Sequence, residues 1–351
     1  LFRSGTFVQG KSRFVRAFLA VPLLLSLFAF SGSTPSASSS LAFYELECSP
    51  TAPARKLMFP ADKCYGFVDV VPRVSGKVKG LKSQRLAAQG KIDVPKDMVV
   101  GFIANRFFFG KPQIIKDFAP DSFEVVTLKL LSMDDSEDDL VDRALAAMTH
   151  LKGIRALVLD KSDASDEGFK SVAKLTGLEK LDAFLVPSEG ALLKYCTTLK
   201  KLKILSLDSV TVKEEYLKYL KEYSSLRSLS LSHTGLGDVG LKSIGACAGI
   251  EELVISRNSR ITDAGLAHLK SLSKLRSINL QETSVTAKGL LALKGLPLRS
   301  LLVCSTNISE ADAARLRAAF PGLNISIKNE KPKVDEDTNT IFGQMSRQRK
   351  L

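Results

Sequence analysis

The stretch ITDAGLAHLKSLSKLRSINLQETSVTAKGLLALKGLPLRSL, residues 261–301, contains nearly two copies of one pattern. In each copy a short segment such as LRSINL alternates leucine or isoleucine with polar residues, and a turn and a second apolar set follow it. Alternation is typical of a strand with one buried face, and the spacing of Leu290 and Leu293 is typical of a helix face. The stretch therefore predicts a strand, turn and helix that repeat.

The strand motif L-x-x-L-x-L recurs seven times, exactly or nearly so, as IRALVL, LEKLDA, LKILSL, LRSLSL, IEELVI, LRSINL and LRSLLV. The central residues are 24, 24, 24, 24, 25 and 23 residues apart, and they are Leu157, Leu181, Leu205, Leu229, Leu253, Ile278 and Leu301. Weaker copies at 123–131 and 323–327 bracket the series. So constant a period indicates a repeat architecture rather than chance similarity.

A single unit of this length cannot bury its own apolar face, so neighbouring units must stack. We therefore predict an α/β fold, a right-handed solenoid with parallel strands on the concave face and helices on the convex face. Helix starts are marked by Thr262, Thr286 and Ser309, whose hydroxyls stand where an N-cap oxygen accepts from free backbone N–H groups.

The repeat pattern divides the chain into four predicted parts. Residues 1–40 are a signal peptide or anchor, 41–122 an N-terminal capping region, 123–328 the solenoid, and 329–351 a flexible polar tail. An end unit of a solenoid needs apolar cover. We expect the consecutive residues Phe107, Phe108 and Phe109 to supply it for the first repeat.

Residues 17–30, AFLAVPLLLSLFAF, form an uncharged apolar run between the basic KSRFVR and a segment of small residues. This order is typical of a secretory signal peptide, and the run is shorter than the roughly 20 residues of a membrane-spanning helix. It favours export to a periplasmic, secreted or lumenal location, with cleavage somewhere in 36–42. An uncleaved membrane anchor and an organelle transit peptide are the alternatives.

The 351 residues include 50 Lys and Arg against 37 Asp and Glu, a net charge of +13 that favours anionic partners. Nucleic-acid binding usually requires aromatic or helical readers beside a basic face, and the sequence has no such grouping. We therefore predict no nucleic-acid partner. Contact with a membrane is expected if the N-terminal apolar segment is retained.

The strings ITDAGLAHLKSLSKLRSINLQET and HTGLGDVGLKSI resemble the repeats of bacterial exported leucine-rich-repeat proteins, a type found also in cysteine-containing repeat families. The resemblance covers about residues 123–327 and is almost silent on function. It implies that Cys196 and Cys247, each just before a strand, are buried core thiols. Departures from the pattern at 182–192 and in the acidic insertion 133–142 are places for a function peculiar to this protein. We read the acidic run as a solvated loop rather than a calcium site.

The strand pattern puts the residues between and just after the last two apolar positions on the concave face, where solenoids commonly bind partners. This face is small and polar, so the apolar pair Phe184 and Leu185 is the best candidate anchor for a protein partner of unknown identity. The full set of candidate partner-binding residues is Phe184, Leu185, Asp208, Ser230, Ser232, Val254, Arg257, Asn279 and Gln281.

The sequence contains no recognisable catalytic motif. His150, His233 and His268 have no metal-ligand spacing, and no Ser or Cys stands in a nucleophile motif. We therefore predict a non-enzymatic binding module without cofactor or metal. Two alternatives remain: a structural subunit or assembly factor of an organellar or membrane complex, and an enzyme whose site lies in 41–122.

Cys48 and Cys64 lie outside the repeats in a segment that contains proline. In an oxidising compartment a disulfide between them would stabilise this segment by about 3 kcal/mol. The sequence leaves both this disulfide and two free thiols open.

Overall fold

The computed structural model describes residues 51–73, 83–130, 139–304 and 308–326. The predictions for the segment 1–40, for most of the acidic run, for the tail 329–351 and for Cys48 lie outside the described residues and stay predictions.

The first part of the described chain is built from five strands: β1 (Arg55–Met58), β2 (Gly66–Pro72), β3 (Gln84–Ala87), β4 (Lys91–Val94) and β5 (Met98–Ala104). β1 pairs with β4 and is antiparallel to it. β2 lies between β3 and β5 and is antiparallel to both. Helix α1 (Arg106–Gly110) and a 3-10 helix (Pro112–Asp117) follow β5.

The repeats continue the same sheet. Their strands are β6 (Val125–Thr127), β7 (Ala156–Val158), β8 (Lys180–Asp182), β9 (Ile204–Ser206), β10 (Ser228–Ser230), β11 (Glu252–Val254), β12 (Ser277–Asn279), β13 (Ser300–Leu302) and β14 (Asn324–Ser326). Each is parallel to its neighbour, and β6 is parallel to β5. The described sheet therefore has twelve strands, with β3 at one end and β14 at the other.

The helices alternate with these strands along the chain. They are α2 (Leu140–Ala147), α3 (Asp166–Val172), α4 (Leu192–Tyr195), α5 (Glu214–Leu217), α6 (Asp238–Gly245), α7 (Asp263–Leu266), α8 (Ala287–Leu290) and α9 (Glu310–Ala319). Short 3-10 helices extend several of them, at Cys196–Thr198, Lys218–Glu222, Ala267–Ser271 and Leu291–Leu293. The predicted α/β solenoid, with parallel strands on the concave side and helices on the convex side, is confirmed.

The strand register explains the repeat period. The central residues of neighbouring strands are direct partners, as in Leu229 with Leu205 and with Leu253, and all three are at most 1% exposed. Each repeat thus adds one rung to a continuous leucine core between the sheet and the helices. Phe108 and Phe109 are fully buried in that core, and Phe108 packs 5.0 Å from Phe102, centroid to centroid.

The helix starts are tied from repeat to repeat by an aspartate. The Asp263 carboxylate accepts from the backbone N–H of Thr286 at 2.7 Å and from its hydroxyl at 2.6 Å. Asp238 makes the same pair of bonds to Thr262, at 2.8 and 2.6 Å. A Cβ on Gly289 would lie 2.7 Å from Cβ of Asp263 and closer still to its carboxyl group. Glycine is therefore needed there to make room for the preceding aspartate.

The predicted N-cap roles are confirmed at two of three positions. The hydroxyl of Thr262 accepts from Ala264 N–H at 3.3 Å, and that of Ser309 accepts from Asp312 N–H at 3.1 Å. Thr286 occupies the N-cap position of α8, but its hydroxyl accepts no capping bond within that helix. Its proton goes to Asp263 instead, so the residue links two repeats.

The junction between the N-terminal strands and the repeats is a buried ion triad. The carboxylate of Glu124, just before β6, accepts from Arg55 at 2.5 and 2.8 Å and also from Arg73. It accepts in addition from Val100 N–H at 2.8 Å. All three charged side chains are less than 10% exposed. This triad and the three residue pairs between β5 and β6 hold the two parts together.

Candidate binding surface

The concave face is defined by rows of residues in strict register across the sheet. One row follows the central residues by one position, so its side chains lie on the sheet face opposite the leucine core. It runs through Ile103, Thr127, Val158, Asp182, Ser206, Ser230, Val254, Asn279 and Leu302. Three of the nine candidate binding residues belong to this row, namely Ser230, Val254 and Asn279.

In the middle of the concave face, Asp208, Ser230, Ser232 and Ser256 form a hydrogen-bonded layer, which we call the floor. Ser230 Oγ donates to Asp208 Oδ1 at 2.5 Å, and the backbone N–H of Ser232 donates to the same oxygen at 2.7 Å. Ser256 Oγ lies 3.0 Å from Ser232 Oγ and donates to it. Each of these four residues is at most 4% exposed. These small side chains satisfy one another and present little surface to a partner.

A similar arrangement continues in the next repeats. Val254 and Asn279 are buried, and Asn279 Oδ1 accepts from the backbone N–H of Gln281 at 3.0 Å. Asn279 Nδ2 donates to Gln281 Oε1 at 3.1 Å. The side chain of Gln281 remains partly exposed.

Five of the candidates on the concave face are buried, namely Asp208, Ser230, Ser232, Val254 and Asn279. Alternation in a strand shows which face a residue is on. It does not show how much of a short side chain remains accessible between neighbouring strands only about 4.8 Å apart. Their contact with a partner stays a prediction, and the structure makes them the floor beneath more exposed residues.

An exposed rim lies four residues after the centre of each strand, as Leu185 lies after Leu181. Residues at this point have left-handed backbones with φ of 53–60°, and they are Lys161, Leu185, Ser209, His233, Arg257 and Glu282. The conformation turns the chain while the N–H still reaches the next repeat, as in Leu185 N–H to Asp208 O at 3.0 Å. We call these six residues the rim. All but Ser209 are exposed.

The rim brings the candidate residues together in two places. Leu185 is 43% exposed and follows the partly exposed Phe184, directly beside Asp208. Arg257 donates through its backbone N–H to Gln281 O at 2.8 Å, and its side chain pairs with Glu282 at 3.1 Å. The repeat that carries Ser232 and His233 separates the two places.

The two edges of the solenoid carry opposite charge. The segments that lead into the repeat strands contain fourteen Lys and Arg against four Glu, and we call them the basic edge: 149–155, 173–180, 197–203, 221–227, 245–252, 270–276 and 294–299. The segments that leave the strands contain eleven Asp and Glu against five Lys and Arg: 159–167, 183–191, 207–215, 231–239, 255–264 and 280–288. Because the repeat strands are parallel, the first set lies along their amino ends and the second set lies along their carboxyl ends, on opposite sides of the sheet.

A comparison with protein families agrees with the repeat architecture. A family model described as leucine-rich repeat matches residues 224–245, which contain β10 and α6. This segment of the chain therefore matches a leucine-rich repeat. Among solved structures it is similar to the crystal structure of an internalin from Listeria monocytogenes, with 16% identity over 60% of this chain and 75% of that chain, at a TM-score of 0.38. No curated protein matches it.

Two cysteines of the leucine-rich repeats are core residues, as the sequence resemblance implied. Cys196 is fully buried with Sγ 3.5 Å from Phe169 O, and Cys247 is 9% exposed. Burial raises the thiol pKa of Cys196 to about 12 and that of Cys247 to about 11. Outside the repeats, Cys64 Sγ donates to Gly66 O at 3.0 Å. Its proposed bridge to Cys48 is not tested.

Sequence reasoning missed an apolar region at the start of the leucine-rich-repeat sheet. Phe67 is 43% exposed and pairs across β2 and β5 with Ile103 on the concave side. Phe107 is 54% exposed, with Lys63 Nζ 5.2 Å from its ring centroid. The consecutive phenylalanines 107–109 were a visible signal, but their sequence does not reveal which of the three faces outward.

The described residues include no candidate metal site and no candidate membrane span. Over those residues, no group of three His, Cys, Asp or Glu side chains is placed to hold a metal ion. Among the described helices, none is both long and apolar enough to cross a bilayer.

Proposed function

We propose that this leucine-rich-repeat protein binds another protein through the rim of its concave face and catalyses no reaction. The observation that carries the proposal is the exposed apolar side chain of Leu185, which follows Phe184 and stands at the edge of an otherwise polar floor. Binding energy at protein interfaces is concentrated in a few anchors that become fully desolvated. This pair is the best apolar anchor that the central repeats offer.

The floor supports the anchor by holding it in place. Leu185 is fixed through its N–H to Asp208 O at 3.0 Å, and the Asp208 carboxylate is in turn fixed by Ser230 and Ser232. A surface that is already ordered loses little conformational entropy on binding, so more of the contact energy appears as affinity. In this proposal Asp208, Ser230, Ser232, Val254 and Asn279 support the interface, and Arg257 and Gln281 form its polar margin.

The test is a double substitution at the anchor, Phe184→Asp with Leu185→Asp. We expect capture of the natural partner from an extract of the source to fall at least about tenfold, since a charged group in a desolvated hot spot costs several kcal/mol. The control is Val239→Asp, which introduces one negative charge, half that of the anchor variant, at a 67% exposed apolar residue on α6. Circular dichroism melting should be nearly unchanged in both variants. Undiminished capture by the anchor variant would remove Phe184 and Leu185 from the interface.

We propose in addition that the mature protein acts outside the cytosol. The support is the apolar run 17–30 with its preceding basic segment and following small residues. Intact-mass spectrometry of the natural protein, with and without reduction, tests this directly. A mass lacking roughly the first 40 residues, with two thiols released on reduction, agrees with export and a Cys48–Cys64 bridge. A full-length mass with five free thiols favours a subunit of an organellar or membrane complex.

A further inference from the structure

We infer that the basic edge of the solenoid binds an anionic lipid surface. The inference is independent of the protein partner proposed for the rim, because it concerns the edge at which the repeat strands begin. Its basis is a set of exposed cationic side chains that the fold itself does not use.

Some cations of this edge have structural roles. Lys152 Nζ donates to the carbonyl oxygens of Thr149 and Lys174 at 2.8 and 3.1 Å, and Lys200 Nζ donates to Glu222 O at 2.8 Å. These lysines satisfy carbonyl groups at the ends of helices, where a cation also complements the helix dipole. Such residues would be expected in a solenoid without any lipid contact.

Other cations of the edge have no such role. The side chains of Lys201, Arg227, Lys274 and Arg299 are exposed, and none makes a hydrogen bond or ion pair within the described residues. They lie in the turns just before the strands, beyond the last helical residues of their repeats. The helix dipole therefore does not account for them, and they remain free to meet an external anion.

The residues two positions before each strand centre lie in one line across the sheet, with Lys or Arg at five of the seven positions and Glu179 and Glu251 at the other two. Backbone bonds join the residues two positions before each strand centre, as from Arg227 N–H to Lys203 O at 2.9 Å and from Arg299 N–H to Arg276 O at 2.7 Å. With strands about 4.8 Å apart, the seven repeats from 155 to 299 extend this line over about 30 Å. A line of that length can contact several lipid headgroups at once.

The composition of the edge favours lipid over protein as the anionic partner. Protein interfaces are enriched in aromatic residues and depleted in Lys. Attraction to anionic headgroups needs only positive charge near the surface, and Lys serves as well as Arg. Ten of the fourteen cations of the basic edge are Lys. None of the exposed large apolar side chains found in the described residues belongs to this edge.

The experiment is cosedimentation of the full chain with vesicles of neutral phosphatidylcholine and with vesicles that contain in addition about one third phosphatidylglycerol. The ratio of the two partition coefficients isolates the electrostatic contribution, because an apolar segment inserts into both. We expect a strong preference for anionic vesicles that disappears in 0.5 M salt. In the variant with Lys201→Glu, Arg227→Glu and Lys274→Glu the ratio should fall about hundredfold, since each cation near the surface contributes roughly fivefold.

The matched control carries Lys161→Glu, Lys242→Glu and Lys288→Glu, an equal change of net charge at exposed lysines outside the basic edge. It should retain most of the preference. An equal loss in both variants would mean that net charge alone attracts the protein, and it would overturn the inference. So would equal partition of the unmodified chain into both vesicles. Retention on immobilised polyglutamate without a preference for anionic vesicles would assign the edge to an acidic protein instead.

Discussion

The rim residues have left-handed backbones although none of them is glycine. For an L-residue this conformation costs about 1–2 kcal/mol, because Cβ approaches the following carbonyl oxygen. In Leu185, with φ of 53°, the cost coincides with 43% exposure of an apolar side chain. Neither property stabilises the folded chain by itself. A residue that is unfavourable for folding in two respects is a reasonable place for a binding anchor.

Two substitutions separate strain from contact at this position. Leu185→Gly removes the steric cost, so we expect the free energy of unfolding to be unchanged or higher by up to about 1 kcal/mol, while partner capture weakens. Leu185→Val removes one methylene but places a β-branched side chain at positive φ, and it should lower the free energy of unfolding by about 1–2 kcal/mol. Urea unfolding measures both. Equal stability of the Gly and Val variants would refute the strain argument.

The buried thiols give a second prediction for single residues. At pH 9 a cysteine at the ordinary pKa of 9 is half thiolate, whereas Cys196, with its pKa raised to about 12, has a thiolate fraction about five-hundredfold smaller. For Cys247, with a pKa of about 11, the thiolate fraction is about fiftyfold smaller. Only the thiolate reacts with iodoacetamide. Alkylation of the native protein, followed by peptide mass mapping, should therefore modify Cys247 before Cys196, and unfolding in urea should abolish the difference.

At the level of elements, the T-D-A-G-L string at 262–266 connects neighbouring repeats, and the sequence alone does not show this contact. The sequence predicted Thr262 and Ser309 as N-caps, because hydroxyl residues at helix starts act within their own helix. The role of Asp263 is different, since it bonds to Thr286 of the next repeat and requires glycine at 289. A contact between units 24 residues apart appears in the sequence only as a repeated string.

A double-mutant cycle tests this coupling. Gly289→Ala should lower the free energy of unfolding by about 1–3 kcal/mol, because the new methyl group overlaps Asp263. Asp263→Ala should cost about as much by removing two hydrogen bonds to Thr286. In the double variant the overlap is gone, so the combined loss should be smaller than the sum of the single losses. Gly110→Ala, with nothing within 4 Å of the added Cβ, is the control. Strict additivity would contradict the proposed contact.

At the level of the whole molecule, the sequence predicted the repeat part far better than the surface. Leucines at a constant period determine the strand register, so Leu205, Leu229 and Leu253 could be assigned to the core in advance. The exposure of residues on the concave face could not be predicted in this way. Ser230 and Phe184 both lie on that face, but their exposure depends on the size of the side chain and on its hydrogen-bond partners. The N-terminal strands were not resolved in advance either, because residues 55–104 have no repeat and pair antiparallel as well as parallel.

The junction at Glu124 determines whether these two parts unfold together. Glu124→Gln would leave Arg55 and Arg73 buried beside a neutral amide, and breaking a buried ion pair in this way costs about 3–5 kcal/mol. Only three residue pairs join β5 to β6, so the loss should fall mainly on the N-terminal strands. We expect hydrogen exchange to show lost protection in Met98–Ala104 and retained protection in Glu252–Val254.

The matched control is Glu282→Gln, which breaks the exposed pair with Arg257 and should change the free energy of unfolding by less than about 1 kcal/mol. If Glu124→Gln lowered protection equally in β5 and β11, the sheet would unfold as one unit and the junction would have no separate role. Protection lost in β5 alone would show that the leucine-rich repeats fold without their N-terminal strands. In that case the buried triad attaches the N-terminal strands to the repeats, and the repeats form their own core without it.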